Sequence, residues 1–133
     1  MTPEQHLQRA VEGLQEARLL LNNGYYRGAC NRAYYAVFEA AHAALAAQTI
    51  PVPKTHSGLN SQFHQYIVKT GLVDAAMGQL LSKIERARLV ADYTNKPIDA
   101  AMGNEIFKMA DQFVSGINSE LTRMMAKTGG QSL

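Results

Sequence analysis

Hydrophobic residues along this chain recur at three- and four-residue spacing and nowhere alternate with period two, so the pattern predicts helices and no sheet. Leu7, Val11, Leu14 and Leu21, with Arg18 among them, mark one stripe of a first helix. Thr2-Pro3-Glu4 is its start signal: a capping hydroxyl, a proline at the first helical position and an acid in the first turn. Asn22-Asn23-Gly24 stops it, because these residues tolerate left-handed geometry. A second, central helix runs from about Tyr25 to Gln48, with Cys30, Ala33, Tyr34, Val37, Phe38, Ala41 and Leu45 along one broad side. Its alanines favour helix and let neighbouring helices come close. Ile50-Pro51-Val52-Pro53 then forces an extended link.

Thr55 or Ser57 can cap a third helix that carries Leu59, Phe63, Tyr66 and Ile67 on one side and ends near Thr70-Gly71. Asp74 can cap a fourth, reaching about Tyr93, with Leu80, Leu81, Ile84, Ala87 and Ala91 inward. After Thr94-Asn95-Lys96-Pro97, a fifth from Pro97 to about Ala126 aligns Met102, Ile106, Met109, Phe113, Ile117, Leu121 and Met124. Short links between such helices predict an all-α fold, an up-and-down antiparallel bundle of four to five helices. One domain over residues 1–127 is expected, with residues 128–133 as a flexible C-terminal tail.

Composition narrows the function classes only slightly. With 133 residues, 47% of them hydrophobic and 18% charged, the chain can bury a core of its own. A formal net charge of +2 argues against a broad basic surface for non-specific nucleic-acid binding, but leaves room for a local basic cleft. The single Cys30 has no partner thiol and suits a reducing compartment. The N-terminus lacks the pattern of a secretory signal, and the longest apolar run, Ala33 to Ala47, is interrupted by Glu39 and His42. That run is too short for a bilayer core of about 30 Å. A cytoplasmic location and no membrane partner are therefore expected. His6, His42, His56 and His64 include no pair three or four residues apart beside a supporting carboxylate, so neither a metal nor another cofactor is expected.

Polar chemistry concentrates in Glu85-Arg86-Ala87-Arg88-Leu89-Val90-Ala91-Asp92-Tyr93. Arg88 shares a helix face with Ile84 and Ala91, whereas Arg86 lies about 200° round the helix from it, so the two arginines cannot do the same job. An arginine beside a core needs an anion. Asp92, four residues on, makes a structural ion pair one reading; a phosphate held in Arg88's planar donor fork is the other. Lys54-Thr55-His56-Ser57 at the start of the third helix is read first as a cap with solvated neighbours and second as a phosphate seat. Asn31-Arg32 and Tyr34-Tyr35 add polar groups, and since adjacent tyrosines diverge by about 100°, one of the two belongs to the core.

Four strings in order, Asn31-Arg32-Ala33-Tyr34-Tyr35-Ala36-Val37-Phe38-Glu39-Ala40-Ala41, Lys54-Thr55-His56-Ser57-Gly58-Leu59, Val68-Lys69-Thr70-Gly71-Leu72 and Arg88-Leu89-Val90-Ala91-Asp92-Tyr93, resemble the small stand-alone branch of prokaryotic HEPN proteins. The resemblance implies a four- or five-helix bundle that forms a homodimer with its polar site near the dimer cleft. It implies a minimal nucleotidyltransferase as partner, in a toxin-antitoxin or phage-defence module, and RNA or a nucleotide as ligand. Several branches of that family are metal-independent ribonucleases with a histidine four to six residues after an arginine. This chain departs from that pattern: five residues after Arg88 stands Tyr93, preceded by Asp92.

Metal-free RNA cleavage needs a base for the 2′-hydroxyl, an acid for the leaving oxygen and a cation for the developing charge. Arg88 can be the cation. Tyr93 can donate but is a poor base, Asp92 would repel the phosphate, and His56 has a suitable range if the third helix begins near the end of the fourth. Arg88, Asp92, Tyr93 and His56 are thus the catalytic candidates, and Lys54, Thr55, Arg32, Tyr35 and Arg86 the candidates for RNA or phosphate binding. Three functions follow: an RNA- or nucleotide-binding protein, with a ribonuclease toxin as its catalytic form, a non-catalytic module that regulates its partner, and a nucleotide sensor.

Overall fold

In the computed structural model, residues 1–51 and 54–131 are described, with the side chains of all but His56 and residues 127–131. Among the described residues there are five α-helices and no strand. They are α1 (Pro3–Asn22), α2 (Tyr26–Ala47), α3 (His56–Phe63), α4 (Ala75–Thr94) and α5 (Ala100–Gln131). A π-helical stretch, His64–Val68, continues α3.

The N-terminal start signal works as a reciprocal cap. Thr2 Oγ1 accepts from Gln5 N at 3.1 Å, and Gln5 Oε1 accepts from Thr2 N at 2.9 Å, so two backbone donors are satisfied. At the other end Gly24 takes φ +82°, which lets the chain reverse directly into α2. The two helices then pack along a seam of small residues. The buried side of α1 is His6, Ala10, Gly13 and Ala17, while Leu7, Leu14 and Leu21 lie at its flank, partly buried against the core, and Val11 is exposed. Small size decides this: a Cβ on Gly13 would lie 3.1 Å from Tyr35 Cδ1 and 3.2 Å from Ala36 Cβ, tighter than ordinary contact, so even an alanine there would have to push a neighbour aside.

Helix α2 is central, as its alanine content predicts. Ala33, Ala36, Val37, Ala40, Ala41, Ala43, Ala44 and Leu45 are all fully buried, with α1 on one side and α5 on another. Helix α5 contributes Ile106, Ala110, Phe113, Ile117, Leu121 and Met124 to the same core. Its first turn begins at Ala100 and not at Pro97, because Asp99 Oδ1 accepts from Met102 N at 2.9 Å and so makes Asp99 the cap. It continues to Gln131, beyond Ala126, where its apolar stripe ends.

The third helix is capped by Thr55, whose Oγ1 accepts from Gly58 N at 3.0 Å. Leu59, Phe63 and Ile67 point inward, and the Phe63 and Phe113 rings meet with centroids 5.5 Å apart. Tyr66 does not join them; the wider turn of the π stretch, in which Lys69 N donates to His64 O at 2.9 Å, rotates it to the surface. Helix α4 runs back antiparallel, and Gly78 gives it a close approach: a Cβ there would lie 2.8 Å from His64 Nε2. Asp74 occupies the N-cap position of α4, but its side chain makes no capping bond. Asn95, at φ +53°, ends the helix in left-handed geometry. Among the described residues no helix is long and apolar enough to cross a membrane.

Candidate functional site

Helices α2 and α4 enclose a cleft of about 280 Å³ lined by Asn31, Tyr34, Tyr35, Phe38, Arg88 and Asp92. The first four are a helical face of α2 at spacing i, i+3, i+4 and i+7, which brings their side chains to one side. Arg88 crosses above them, its guanidinium carbon 5.9 Å from the Phe38 ring centroid.

Arg88 is held from two sides. Glu85, one turn earlier and buried, takes both edges of the fork: Arg88 Nη2 donates to Oε1 at 2.9 Å and Nε to Oε2 at 3.4 Å. Asp92, half exposed, accepts from Nη1 at 2.9 Å. The ion pair read from the Arg88–Asp92 spacing is thus present, and Glu85 is the stronger anchor. Hydrogen bonding from Glu85 is the main cause that raises the Arg88 pKa, so the group stays charged throughout the accessible range. Of its five N–H donors, three are engaged here and two remain for a ligand.

The phenol of Tyr34 completes the cluster. Only 4% of Tyr34 is exposed, and its buried hydroxyl has no hydrogen-bond partner. Burial above all pushes its pKa up, with Asp92 and Glu85 adding and Arg88 opposing, so it stays protonated as a hydrogen-bond donor. A buried hydroxyl without a partner is costly, and here it faces ionic groups.

The other candidates divide cleanly. Tyr35 lines the cleft, and the divergence of the two tyrosines holds, with Tyr34 in the core and Tyr35 half-buried. Arg32 stacks on the Tyr35 ring at 4.3 Å and pairs with Glu16 at 3.1 Å, at the edge of the site. Tyr93 is 82% exposed and does not line the cleft, because a fifth position on α4 turns about 140° from Arg88. Arg86 is exposed on another face of α4. Lys54 and Thr55 are exposed and line no part of the cleft, and the Thr55 hydroxyl is occupied as the α3 cap. The His56 side chain lies outside the described residues.

The sequence reading names Asn31 and Tyr34 as added polar groups and Phe38 as apolar, but does not join them with Tyr35 into a cleft wall, although their spacing is a legible helical face. Glu85 was passed over too; an acid three residues before an arginine is the signal for it. A larger cleft, about 510 Å³, lies across α3 and α4 and is lined by Asn60, Ser61, His64, Gln65, Lys69 and Ser82. There His64 Nδ1 donates to the Asn60 carbonyl at 3.0 Å, and Ser82 Oγ stands 3.4 Å from Nε2. This is too long for an activated nucleophile, and the arrangement serves to join α3 to α4.

A third grouping was missed, although Glu39 and His42 stand three residues apart on α2 and only His6 needs the fold to join them. His6 of α1 and Glu39 and His42 of α2 bring one ligand atom each to within 4.8 Å of one another. His6 Nδ1 stands 2.8 Å from Glu39 Oε2.

With this geometry in view, the comparisons with known proteins are decisive for the family. Residues 3–119 match the HEPN domain. The chain belongs to the HEPN family. Its HEPN relatives include a Methanocaldococcus jannaschii protein named "Putative toxin MJ0605", 35% identical over 117 residues, which are 87% of this chain and 86% of the relative. A UPF0332 protein of Gloeobacter violaceus is 37% identical over 70% of this chain and 75% of its own length. Another UPF0332 protein, from Thermotoga maritima, is 39% identical over 64% of each chain. The match covers α1 to α4 and most of α5, and so includes both walls of the Arg88 cleft.

Proposed function

We propose that this HEPN chain is a toxin-like protein that takes a phosphate-bearing ligand, RNA or a nucleotide, in the Arg88 cleft and works with a minimal nucleotidyltransferase partner. The observation that carries the reading is the buried, unpartnered Tyr34 hydroxyl beside a guanidinium with donors to spare. The names of the Methanocaldococcus jannaschii relatives support the toxin-like part.

The cluster of Arg88, Glu85 and Asp92 carries one positive and two negative charges, so a phosphate enters only if one carboxylate yields. Asp92 is the one that yields. It is half exposed, and an exposed pair is worth under about 1 kcal/mol. Glu85, largely buried, stays and keeps the fork oriented. With Asp92 swung into water, Nη1 and Nη2 of Arg88 and the Tyr34 hydroxyl converge on one anion, while Tyr35 and Phe38 offer ring faces to a base.

Exposed Leu89, Val90 and Tyr93, on the side of α4 turned away from the cleft, favour a second part of the reading: this strip docks a second copy or the nucleotidyltransferase. The test is RNA and nucleotide binding, with RNA cleavage in chelator, by wild type, Arg88→Lys and Asp92→Asn. Arg88→Lys keeps a cation for Glu85 but loses the fork. Binding that falls at least tenfold in Arg88→Lys and rises in Asp92→Asn supports the reading. If neither ligand binds wild type at high protein concentration, the cleft is structural and the chain is an interaction module.

A further inference from the structure

The buried face of α1 is alanine and glycine except at one end, where His6 meets Glu39 and His42 of α2. His6 and Glu39 are largely buried and His42 partly so, and the two imidazoles meet edge to face with centroids 5.6 Å apart. A carboxylate and two imidazoles are costly to bury, and they stand here in line with the buried Ala10, Gly13 and Ala17 of α1. Glu39 and His42 stand three residues apart on one helix, so both project to the same side, and His6 faces them from the other helix.

We propose that His6, Glu39 and His42 form a binding site for one divalent first-row transition metal ion, with zinc as the best fit. Two imidazoles and one carboxylate are the donor set that such ions take in place of magnesium or calcium. Bonds of about 2.0–2.1 Å in a tetrahedral site place donors about 3.3 Å apart. The three ligand atoms already lie within 4.8 Å of one another, with the His6–Glu39 pair at 2.8 Å. Small side-chain rotations that open that pair and draw in His42 produce the required spacing without movement of either helix. The partial exposure of His42 leaves a fourth position for water or an outside donor. The site lies on the α1 side of α2 and shares no residue with the Arg88 cleft, so it stands or falls independently of the phosphate reading.

Tag-free full-length protein titrated with Co²⁺ and followed by visible absorption tests this directly. Wild type is expected to take one Co²⁺ per chain with the bands of a four- or five-coordinate ion, which Zn²⁺ then displaces, and to melt at higher temperature with Zn²⁺ present. Outer-sphere changes already cost metal sites about 10–100-fold, so loss of a ligand in His42→Ala should weaken binding at least that much. His42→Ala leaves the His6–Glu39 pair in place and should keep native helicity; Glu39→Gln provides a second loss with nearly unchanged shape. Arg88→Lys should bind the metal as wild type does. Absence of binding at tenfold metal excess, or equal binding by wild type and His42→Ala, would overturn the site.

Discussion

The α1–α2 seam and the C-terminal half of α4 solve opposite problems with the same secondary structure. In the seam, Ala10, Ala17, Ala33, Ala36 and Ala40 are fully buried and a Cβ at Gly13 would press to 3.1–3.2 Å against Tyr35 and Ala36, so the two helices lie close and any larger side chain must push a neighbour aside. On α4, Leu89, Val90 and Tyr93 face outward, and the polar residues turned towards α2 are a three-membered ionic cluster within the helix, with the unpartnered hydroxyl of Tyr34 on α2 beside it. The first region is specified by volume and tolerates almost nothing. The second is specified by charge and leaves donors and apolar surface unspent, which is where a ligand or partner can act.

The contrast can be broken most forcefully at Gly13. Gly13→Leu should destabilise by about 3 kcal/mol, the upper end for overpacking, measured as a shift in denaturant midpoint. A loss below about 1 kcal/mol would mean that the seam can spread and is not specified by volume. Glu85→Ala comes next: it leaves Arg88 half-buried with only the exposed Asp92, and should cost about 2 kcal/mol in the same measurement. Equality with Asp92→Asn would remove the distinction between anchor and gate.

Cys30 tests the interior of α2 by pH. Burial pushes its thiol from the ordinary value of 9.0 up to about 11. The unfolded chain therefore ionises first, stability is intact below pH 9, and it is lost as pH rises through about 11. Wild type should lose about 1 kcal/mol more than Cys30→Ala between pH 8 and 10. The smallest effect belongs to the rim: Asp92→Asn should change stability by less than about 1 kcal/mol while it alters anion binding. A large stability loss there would make the cleft a structural tie and nothing more.

Much of the fold was legible because its signals are local. Thr2-Pro3, Gly24 and the alanines of α2 act within a turn or two of themselves, and so does the Arg88–Asp92 pair. What escaped depends on distance or on size. Hydrophobic periodicity selects Leu7, Val11 and Leu14 on α1, whereas packing selects Ala10, Gly13 and Ala17, since close approach is worth more than the larger side chains, which can reach the core from the flank. Tyr66 was misplaced by a single change of helical pitch that periodicity assumes constant. His6 and Glu39 are separated by 33 positions, and nothing short of the fold brings them together. The cleft was half legible: its arginine and one acid by spacing, but not Tyr34, whose role rests on a hydroxyl left without a partner.

The tight connection of α1 to α2 also bears on the order of events as the chain folds. Only Asn23, Gly24 and Tyr25 separate the two helices, so their pairing closes a very short loop and pays little entropy before its contacts form. The hairpin is then the natural nucleus, with α5 and finally α4 condensing onto it. Substitutions at Gly13 should slow refolding, whereas those at Asp92 should act almost wholly on the unfolding rate. A protein so assembled would open first at α4, the wall of the Arg88 cleft, while its first hairpin remained intact.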